Sequence, residues 1–223
     1  MNFYHSHLNY PLEWSIKKEP IYRLLDDVKW MENFFDDGEL MISCLSNFKN
    51  YPDEMIGDRD EGDSLIAGPN ENGDLIGIKY DSGDNAFIMS TTTELTERVK
   101  KDFNAKCAIK INNPSYFGVE ITRKLPFAHK GYEGHCIYAD SRVQMLDKEI
   151  EKNKAFQSID FRNDPFAAQK LATITRDFEL FLKLDKYKHQ KEYRMIWFTK
   201  NKVDKSMVIK CPEVIKFCEK IYF

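Results

Sequence analysis

The stretch HQKEYRMIWF, residues 189–198, contains a run of aromatic and aliphatic residues that is typical of a β-strand. Side chains alternate between the two faces of a strand, so every second residue shares a face. One face then carries Glu192, Arg194, Ile196 and Phe198, and the other carries Tyr193, Met195 and Trp197. A glutamate is disfavoured in such a run. Either Glu192 and Arg194 form a solvated pair at the strand end, or the strand holds the Glu192 carboxylate at the edge of a cleft.

The segments around this strand predict an α+β fold. Apolar residues at helical spacing predict a helix over residues 26–38 that ends at Gly38. Strands are predicted over residues 39–48, 86–94, 106–112, 134–140, 191–199 and 205–223, a helix over 94–103, a helix or strand over 114–125, and helices over 142–183. The polar segment 49–85 has turn residues throughout, which favours a lid or a hairpin with wide loops. Strands before and after a helical block, without regular βαβ alternation, indicate the α+β class.

The composition favours a single cytoplasmic domain over residues 1–223. The net charge of −3 gives no overall attraction to nucleic acid or to an anionic membrane. Five cysteines without CxxC spacing predict buried thiols in a reducing compartment. The first residues lack the pattern of a secretory signal, and no apolar run approaches the roughly 18 residues that span a bilayer. We therefore expect no membrane partner.

Two further segments combine apolar and polar residues in an unusual way. In EPIYRLL, residues 19–25, Arg23 lies in an apolar stretch, where it is either a surface residue or a guanidinium fork for a phosphate or ribose oxygen. In AFIMSTTTE, residues 86–94, four hydroxyl residues end an apolar strand. Thr91 or Thr93 is a candidate N-cap for the next helix, and Glu94 would complete a capping box with Thr91. That interpretation leaves Ser90 unexplained.

In chain order, these segments resemble the signature of the Arg-Ser-Glu type mono-ADP-ribosyltransferases. The matching residues are Arg23, Ser90-Thr91-Thr92 and Gln190-Lys191-Glu192, with Thr92 standing where the family pattern has a serine. Residues 188–198 are also similar to the EKEYR strand of a group of bacterial phage-defence-associated proteins of unknown function, and residues 38–54 to the early strand and loop of that group. The resemblance covers roughly residues 20–200. It implies an ADP-ribosyltransferase-like domain with a mixed or antiparallel β core and flanking helices.

The resemblance also implies NAD as the substrate. Glu192 would stabilise the oxocarbenium-like transition state in which the nicotinamide–ribose bond breaks. Arg23 would bind the pyrophosphate or the adenosine ribose, and Ser90 would brace the carboxylate. Gln190, two residues before Glu192, would share its strand face and orient the acceptor. In the family a tyrosine often stacks on nicotinamide, and the candidates for that role here are Tyr22, Tyr80 and Tyr138.

The implied activity is the transfer of ADP-ribose to a protein or nucleic-acid acceptor by a bacterial toxin or phage-defence effector. An antitoxin or another protein of the defence system is the implied partner. A catalytically silent binding module of the same fold is an alternative. No metal site is expected, because neither an HExxH motif nor paired ligand spacing is present.

A second enzyme class competes through the acidic segment 53–63. Its carboxylates are Asp53, Glu54, Asp58, Asp60, Glu61 and Asp63. Clustered carboxylates can hold Mg²⁺ for nuclease chemistry, although a solvated acidic loop has the same composition. Lysines 183, 186, 188 and 191 likewise predict either a local basic stripe or solvated side chains.

Overall fold

The aromatic run forms strand β12 (Glu192–Thr199), and all eight of its residues are buried. The computed structural model describes residues 2–5, 19–52, 57, 60–69, 72–145, 159–160, 163–167, 170 and 178–223. On one side β12 pairs antiparallel with β6 (Ala86–Thr92), and on the other with β8 (Ala128–His135). A strand with neighbours on both edges and cover on both faces tolerates a near-continuous apolar sequence.

Among the described residues, the sheet around β12 has nine strands. Its main path runs β1 (Asn2–His5), β8, β12, β6, β2 (Ile21–Leu25), β7 (Cys107–Ile111) and β14 (Cys218–Tyr222). Two more strands, β3 (Glu39–Cys44) and β13 (Met207–Lys210), branch from β6. All of these pairings are antiparallel. The α+β class is confirmed, with a largely antiparallel core.

One edge of β6 is shared by two strands, which leaves a fork in the sheet. β3 pairs with the start of β6, at Phe87 and Ile88. β2 pairs with the end of β6, at Thr92. The backbone around Ser90 lies between these two contacts and faces the opening where β2 and β3 diverge.

Two smaller sheets lie outside the main one. β4 (Asp63–Pro69) and β5 (Leu75–Asp81) form an antiparallel hairpin, and β10 (Val143–Met145) pairs with β4 in parallel. This outcome confirms the hairpin alternative for the segment 49–85. β9 (Ile137–Ala139) pairs in parallel with β11 (Leu182–Leu184). The helical prediction for 142–183 is wrong at both ends, where β10 and β11 lie, and most of the intervening residues lie outside the described part.

Four α-helices have both of their ends within the described residues. They are α1 (Val28–Asp37), α2 (Leu45–Lys49), α3 (Glu97–Asp102) and α4 (Pro114–Lys124). Short 3-10 helices cover Phe178–Phe181, Asp185–Gln190 and Pro212–Phe217. α1 ends at Gly38, as predicted. None of the helices that the structure describes has the length and apolar character needed to cross a membrane.

The predicted N-cap of α3 is wrong. Thr91 lies within β6, and Thr93 follows that strand, so neither adjoins the helix. Thr96 is the N-cap instead, and its hydroxyl accepts a hydrogen bond from the Val99 N–H. The strand runs further than the capping interpretation assumed, which places Ser90 and Thr91 in the sheet.

The two faces of β12 enter different cores, as the alternation predicts. Tyr193, Met195 and Trp197 pack into the larger core, which includes residues from α1 and α4. The Trp197 indole N–H donates to the Gly118 carbonyl at 2.9 Å. Ile196 and Phe198 pack into a smaller core on the other face. The five cysteines are free thiols, and four are buried.

Candidate functional site

The fork between β2 and β3 opens into a cavity of about 410 Å³. Six of the seven residues that match the signature line it, namely Arg23, Ser90, Thr91, Thr92, Gln190 and Glu192, and so does Tyr22, one of the three candidate tyrosines. They come from β2, β6, the 3-10 helix Asp185–Gln190 and β12. Sheet pairing therefore brings together residues that lie in three distant parts of the sequence.

Arg23 is half-buried at the fork and keeps hydrogen-bonding capacity. Its Nη1 donates to the Ser90 carbonyl at 2.8 Å. Among the described residues, the edge of β6 that β2 and β3 share has no strand partner at Ser90, which leaves this carbonyl open to the guanidinium. Its Nε is buried and has no hydrogen-bond partner among the described residues. Burial lowers the pKa of Arg23, and the charge of Glu192 opposes that shift. A guanidinium with an unused buried donor suits an anionic ligand.

Glu192 is buried, and cations hold both of its carboxylate oxygens. Oε1 accepts a hydrogen bond from Arg194 Nε at 2.6 Å, and Oε2 accepts one from Lys183 Nζ at 2.6 Å. Burial raises the pKa of Glu192, but the charges and hydrogen bonds of Arg194 and Lys183 outweigh it and hold the pKa well below its usual range. The solvated surface pair is therefore the wrong interpretation, and Glu192 is a buried carboxylate that stays ionised.

Arg194 connects Glu192 to the acidic segment. Its Nη1 and Nη2 donate to the two carboxylate oxygens of Glu61, at 2.5 and 3.0 Å, and Nη1 also donates to the Leu180 carbonyl. Such a bidentate pair fixes both groups in one plane. Burial lowers the pKa of Arg194, but nearby acidic groups outweigh it and raise the pKa above its ordinary value. Arg194 is a buried anchor for the carboxylate of Glu192.

Gln190 lines the cavity from a 3-10 helix and not from strand β12, where it was predicted. It ends the 3-10 helix Asp185–Gln190, and Lys191 follows in a left-handed conformation with φ of 45°. Gln190 and Glu192 therefore do not share a strand face, and that part of the prediction is wrong. Lys183 Nζ joins them instead, because it donates to Gln190 Oε1 at 3.0 Å as well as to Glu192.

The β6 hydroxyls occupy distinct positions. The register places Ser90 opposite Arg194. The described hydrogen bonds to the Glu192 carboxylate come from Arg194 and Lys183, and not from Ser90. Thr91 donates its hydroxyl to the Tyr193 carbonyl at 2.7 Å. The bracing expected of Ser90 is thus supplied by two cations.

The three candidate tyrosines lie in different places. Tyr22 lines the cavity. The Tyr138 hydroxyl accepts a hydrogen bond from the Glu192 backbone N–H at 2.8 Å, and burial raises the pKa of Tyr138. Tyr80 lies in a separate core and donates to Glu179 at 3.1 Å. Of the three, Tyr22 is the one placed to contact a ligand in the cavity.

The acidic segment does not form a cluster within the described residues. Asp53, Glu54 and Asp58 lie outside them, and Asp60 is exposed. Glu61 is held by Arg194, whereas Asp63 pairs with Lys49 at 2.5 Å and with Lys79 at 3.4 Å. In the part of the chain that the structure describes, no three His, Cys, Asp or Glu side chains are grouped to hold a metal ion.

For the lysines of the predicted basic stripe, the structure separates one buried side chain from three exposed ones. Lys183 is buried, so it does not belong to a solvated stripe, whereas Lys186, Lys188 and Lys191 are exposed. No local pattern in the sequence distinguishes Lys183 from the other three lysines, because its burial depends on the pairing of β11 with β9, outside the main sheet.

Exposed apolar side chains form the outer wall of the cavity. They are Trp30, Met41, Tyr51 and Val208, each more than two-fifths exposed. Met41 and Val208 lie directly opposite each other on β3 and β13. A sequence signal exists at Met41, because its neighbours Leu40 and Ile42 enter the core and alternation puts Met41 on the other face.

The site thus combines a charged inner end with an apolar mouth. Comparisons with protein-family models, curated proteins and solved structures find no match to this chain.

Proposed function

We propose that the cavity binds NAD and that the protein is an NAD-dependent ADP-ribosyltransferase with an ADP-ribosyltransferase-like domain. One observation carries the proposal: six of the seven residues that match the signature, drawn from distant parts of the chain, line one cavity. The expected site of action is the bacterial cytoplasm.

The distribution of chemistry in the cavity supports a dinucleotide. Its volume of about 410 Å³ lies in the range of small-molecule sites. Arg23 offers buried donors at the fork for a pyrophosphate or a ribose oxygen. Trp30 and Tyr51 supply aromatic surface at the mouth for a flat ring. NAD combines an anionic centre with two aromatic rings.

Glu192 has the charge and the free acceptor positions that the reaction requires. A carboxylate offers about four lone-pair positions, and Arg194 and Lys183 use two. The remaining positions would let a ribose hydroxyl donate to Glu192 while both described cations stay bound. The nicotinamide–ribose C–N bond breaks, and its electron pair leaves with neutral nicotinamide. The positive charge that develops on the ribose is stabilised by the fixed anion of Glu192.

The transfer is completed by the acceptor. A nucleophilic atom of the protein or nucleic-acid acceptor forms a bond to the ribose carbon and releases its proton to solvent or to a nearby base. Gln190, which accepts a hydrogen bond from the same ammonium group as Glu192, would orient the acceptor.

The test compares nicotinamide release and NAD-dependent thermal stabilisation in the wild type, Glu192→Gln and Glu97→Gln. Glu97 is the matched control, because its side chain is 90% exposed on α3. We expect Glu192→Gln to lower nicotinamide release by about 100-fold or more while the protein is still stabilised by NAD. Glu97→Gln should behave as the wild type. Full release by Glu192→Gln would contradict the proposal.

Binding is tested separately with Arg23→Met. NAD at about 100 times its Kd should stabilise the wild type by about 2.7 kcal/mol. Arg23→Met should lose most of this stabilisation, because the guanidinium that would bind the pyrophosphate or the ribose is gone. Absence of any NAD-dependent shift in the wild type would favour a catalytically silent module or an unrelated ligand.

The acceptor is identified with labelled NAD and a bacterial lysate. Label that survives nuclease and is lost on protease treatment identifies a protein acceptor, and the reverse identifies a nucleic acid. A toxin or defence effector should also slow the growth of cells that express it, and Glu192→Gln should relieve the effect. A co-purifying antitoxin or defence partner would be recovered with the Glu192→Gln protein.

A further inference from the structure

Lys183 occupies a position that the resemblance does not assign to any residue. It lies on β11, in the two-stranded sheet outside the main sheet, and its side chain is 7% exposed. Its ammonium group donates to Gln190 Oε1 at 3.0 Å and to Glu192 Oε2 at 2.6 Å. One buried cation thus contacts both nominated catalytic side chains.

The backbone does not hold these two side chains together. A continuous strand would place residues 190 and 192 on one face. Here the 3-10 helix ends at Gln190 and the left-handed Lys191 intervenes before β12 begins. The relative position of the Gln190 amide and the Glu192 carboxylate therefore depends on side-chain contacts.

Arg194 alone does not fix the carboxylate. It contacts Oε1 of Glu192 and is itself anchored by Glu61 and Leu180. The terminal torsion of a glutamate is soft, so one contact leaves the carboxylate plane free to turn. The contact of Lys183 with Oε2 supplies the second point that defines the plane.

We propose that Lys183 is the positioning residue of this site, holding the Gln190 amide and the Glu192 carboxylate in the arrangement that NAD cleavage and transfer require. The inference rests on the proposed function. Lys183 acts through Glu192 and Gln190, and it also keeps the Glu192 carboxylate ionised in a buried place.

The charged and titratable groups around Glu192 allow a pH test. They are Arg194, Lys183, Arg23, Glu61, Cys136 and Tyr138. Burial raises the pKa of Glu192, and Arg194 and Lys183 lower it. Loss of the Lys183 charge leaves burial opposed by fewer cations, so the carboxylate should take up its proton at higher pH than in the wild type.

The experiment compares Lys183→Met, Lys183→Arg and Lys186→Met. Lys186 is the matched control, because its Nζ lies 4.8 Å from the Tyr187 ring centroid, as Lys183 Nζ does at 4.7 Å, yet Lys186 is exposed. We expect Lys183→Met to lower kcat for nicotinamide release by about 10- to 100-fold, with a smaller change in KM. The acid limb of its pH profile should move to higher pH. Lys183→Arg should recover much of the rate, and Lys186→Met should match the wild type.

A Lys183→Met enzyme with the kcat and acid limb of Lys186→Met would overturn the proposal. If Lys183→Met does not fold, Lys183→Gln serves in its place. Glutamine keeps a donor for Glu192 but removes the charge, so the acid limb should still move. An unmoved limb in folded Lys183→Gln would overturn the proposal equally.

A measurement without NAD separates this inference from the proposed function. The folding equilibrium constant is measured for four proteins: the wild type, Lys183→Met, Glu192→Gln and the double variant. Near pH 7, the double-mutant cycle should show a coupling between Lys183 and Glu192 of about tenfold or more in that constant. Absence of this coupling overturns the role of Lys183, whether or not the protein binds and cleaves NAD. If the coupling is present but the protein neither binds nor cleaves NAD, the contact between Lys183 and Glu192 is supported. The absence of NAD binding and cleavage then overturns the proposed function.

Discussion

Replacing Arg194 with methionine removes the cation on which the buried charge network depends. The guanidinium donates to Glu192, to both oxygens of Glu61 and to the Leu180 carbonyl. Methionine fills similar space but donates nothing. Glu61 would then be buried without a described cation, and Glu192 would retain Lys183 alone.

The expected loss of stability is large. Removal of one partner from a buried ion pair costs about 3–5 kcal/mol, chiefly because the other charge stays buried and uncompensated. Typical domains unfold at a cost of about 5–15 kcal/mol, so the variant should lose a substantial part of its stability. The loss should shrink as the pH falls, because protonation removes the uncompensated negative charge.

Urea unfolding followed by tryptophan fluorescence measures this loss, since Trp197 is fully buried on the same strand. Arg98→Met is the control. The Arg98 side chain is 67% exposed and lies 3.9 Å from Asp102, so its replacement should change the free energy of unfolding by less than about 0.5 kcal/mol.

A compensated variant tests the cause. Arg194→Met combined with Glu61→Gln and Glu192→Gln removes the uncompensated charges, and it should recover part of the lost stability. A loss below about 1 kcal/mol in Arg194→Met would refute the reasoning. So would a combined variant no more stable than the single one, because the cost would then come from packing and not from charge.

Three further predictions concern local structure and pH. Gly38→Ala should destabilise the protein by about 2 kcal/mol or more, because φ there is 77° and an added Cβ would clash with the backbone nitrogen of Pro212. Thermal unfolding measures this loss, and an unchanged Tm would contradict the geometry. Thr96→Ala should cost about 1 kcal/mol through loss of the cap on the Val99 N–H, whereas Thr93→Ala, outside the helix, should cost less in the same urea assay. The folded pKa of Glu192 lies below its unfolded value of about 4.3, so its ionised form stabilises the protein above that pH and the stabilisation is lost as the pH falls through the folded value. The stability difference between the wild type and Glu192→Gln should therefore narrow below about pH 4, and a difference independent of pH would count against an ionised Glu192.

Local patterns in the sequence predicted much of the secondary structure. Helix α1 with its end at Gly38, strand β6, strand β7 and strand β12 all follow from apolar periodicity and a glycine signal. These features depend on neighbouring residues, so a short window contains the information. The helical prediction for 142–183 failed at its ends because Val143–Met145 and Leu182–Leu184 are short strands that depend on distant partners.

For the candidate site too, some features were predictable from the sequence and others depended on the fold. The sequence by itself determined which residue types were available, with Arg23, Ser90 and Glu192 in a recognisable order. Only the tertiary structure decided that Glu192 is buried and not solvated, because its cover and its cations come from elsewhere in the chain.

Lys183 and Glu61 illustrate the reason. Neither belongs to the Arg-Ser-Glu signature, and each joins the network through its own ion pair, Lys183 with Glu192 and Glu61 with Arg194. Their energetic importance arises from the low-dielectric interior that the fold creates around them, where an unpaired charge is costly. Sequence patterns report local periodicity, whereas the balance of buried charges is a property of residues that meet only once the chain has folded.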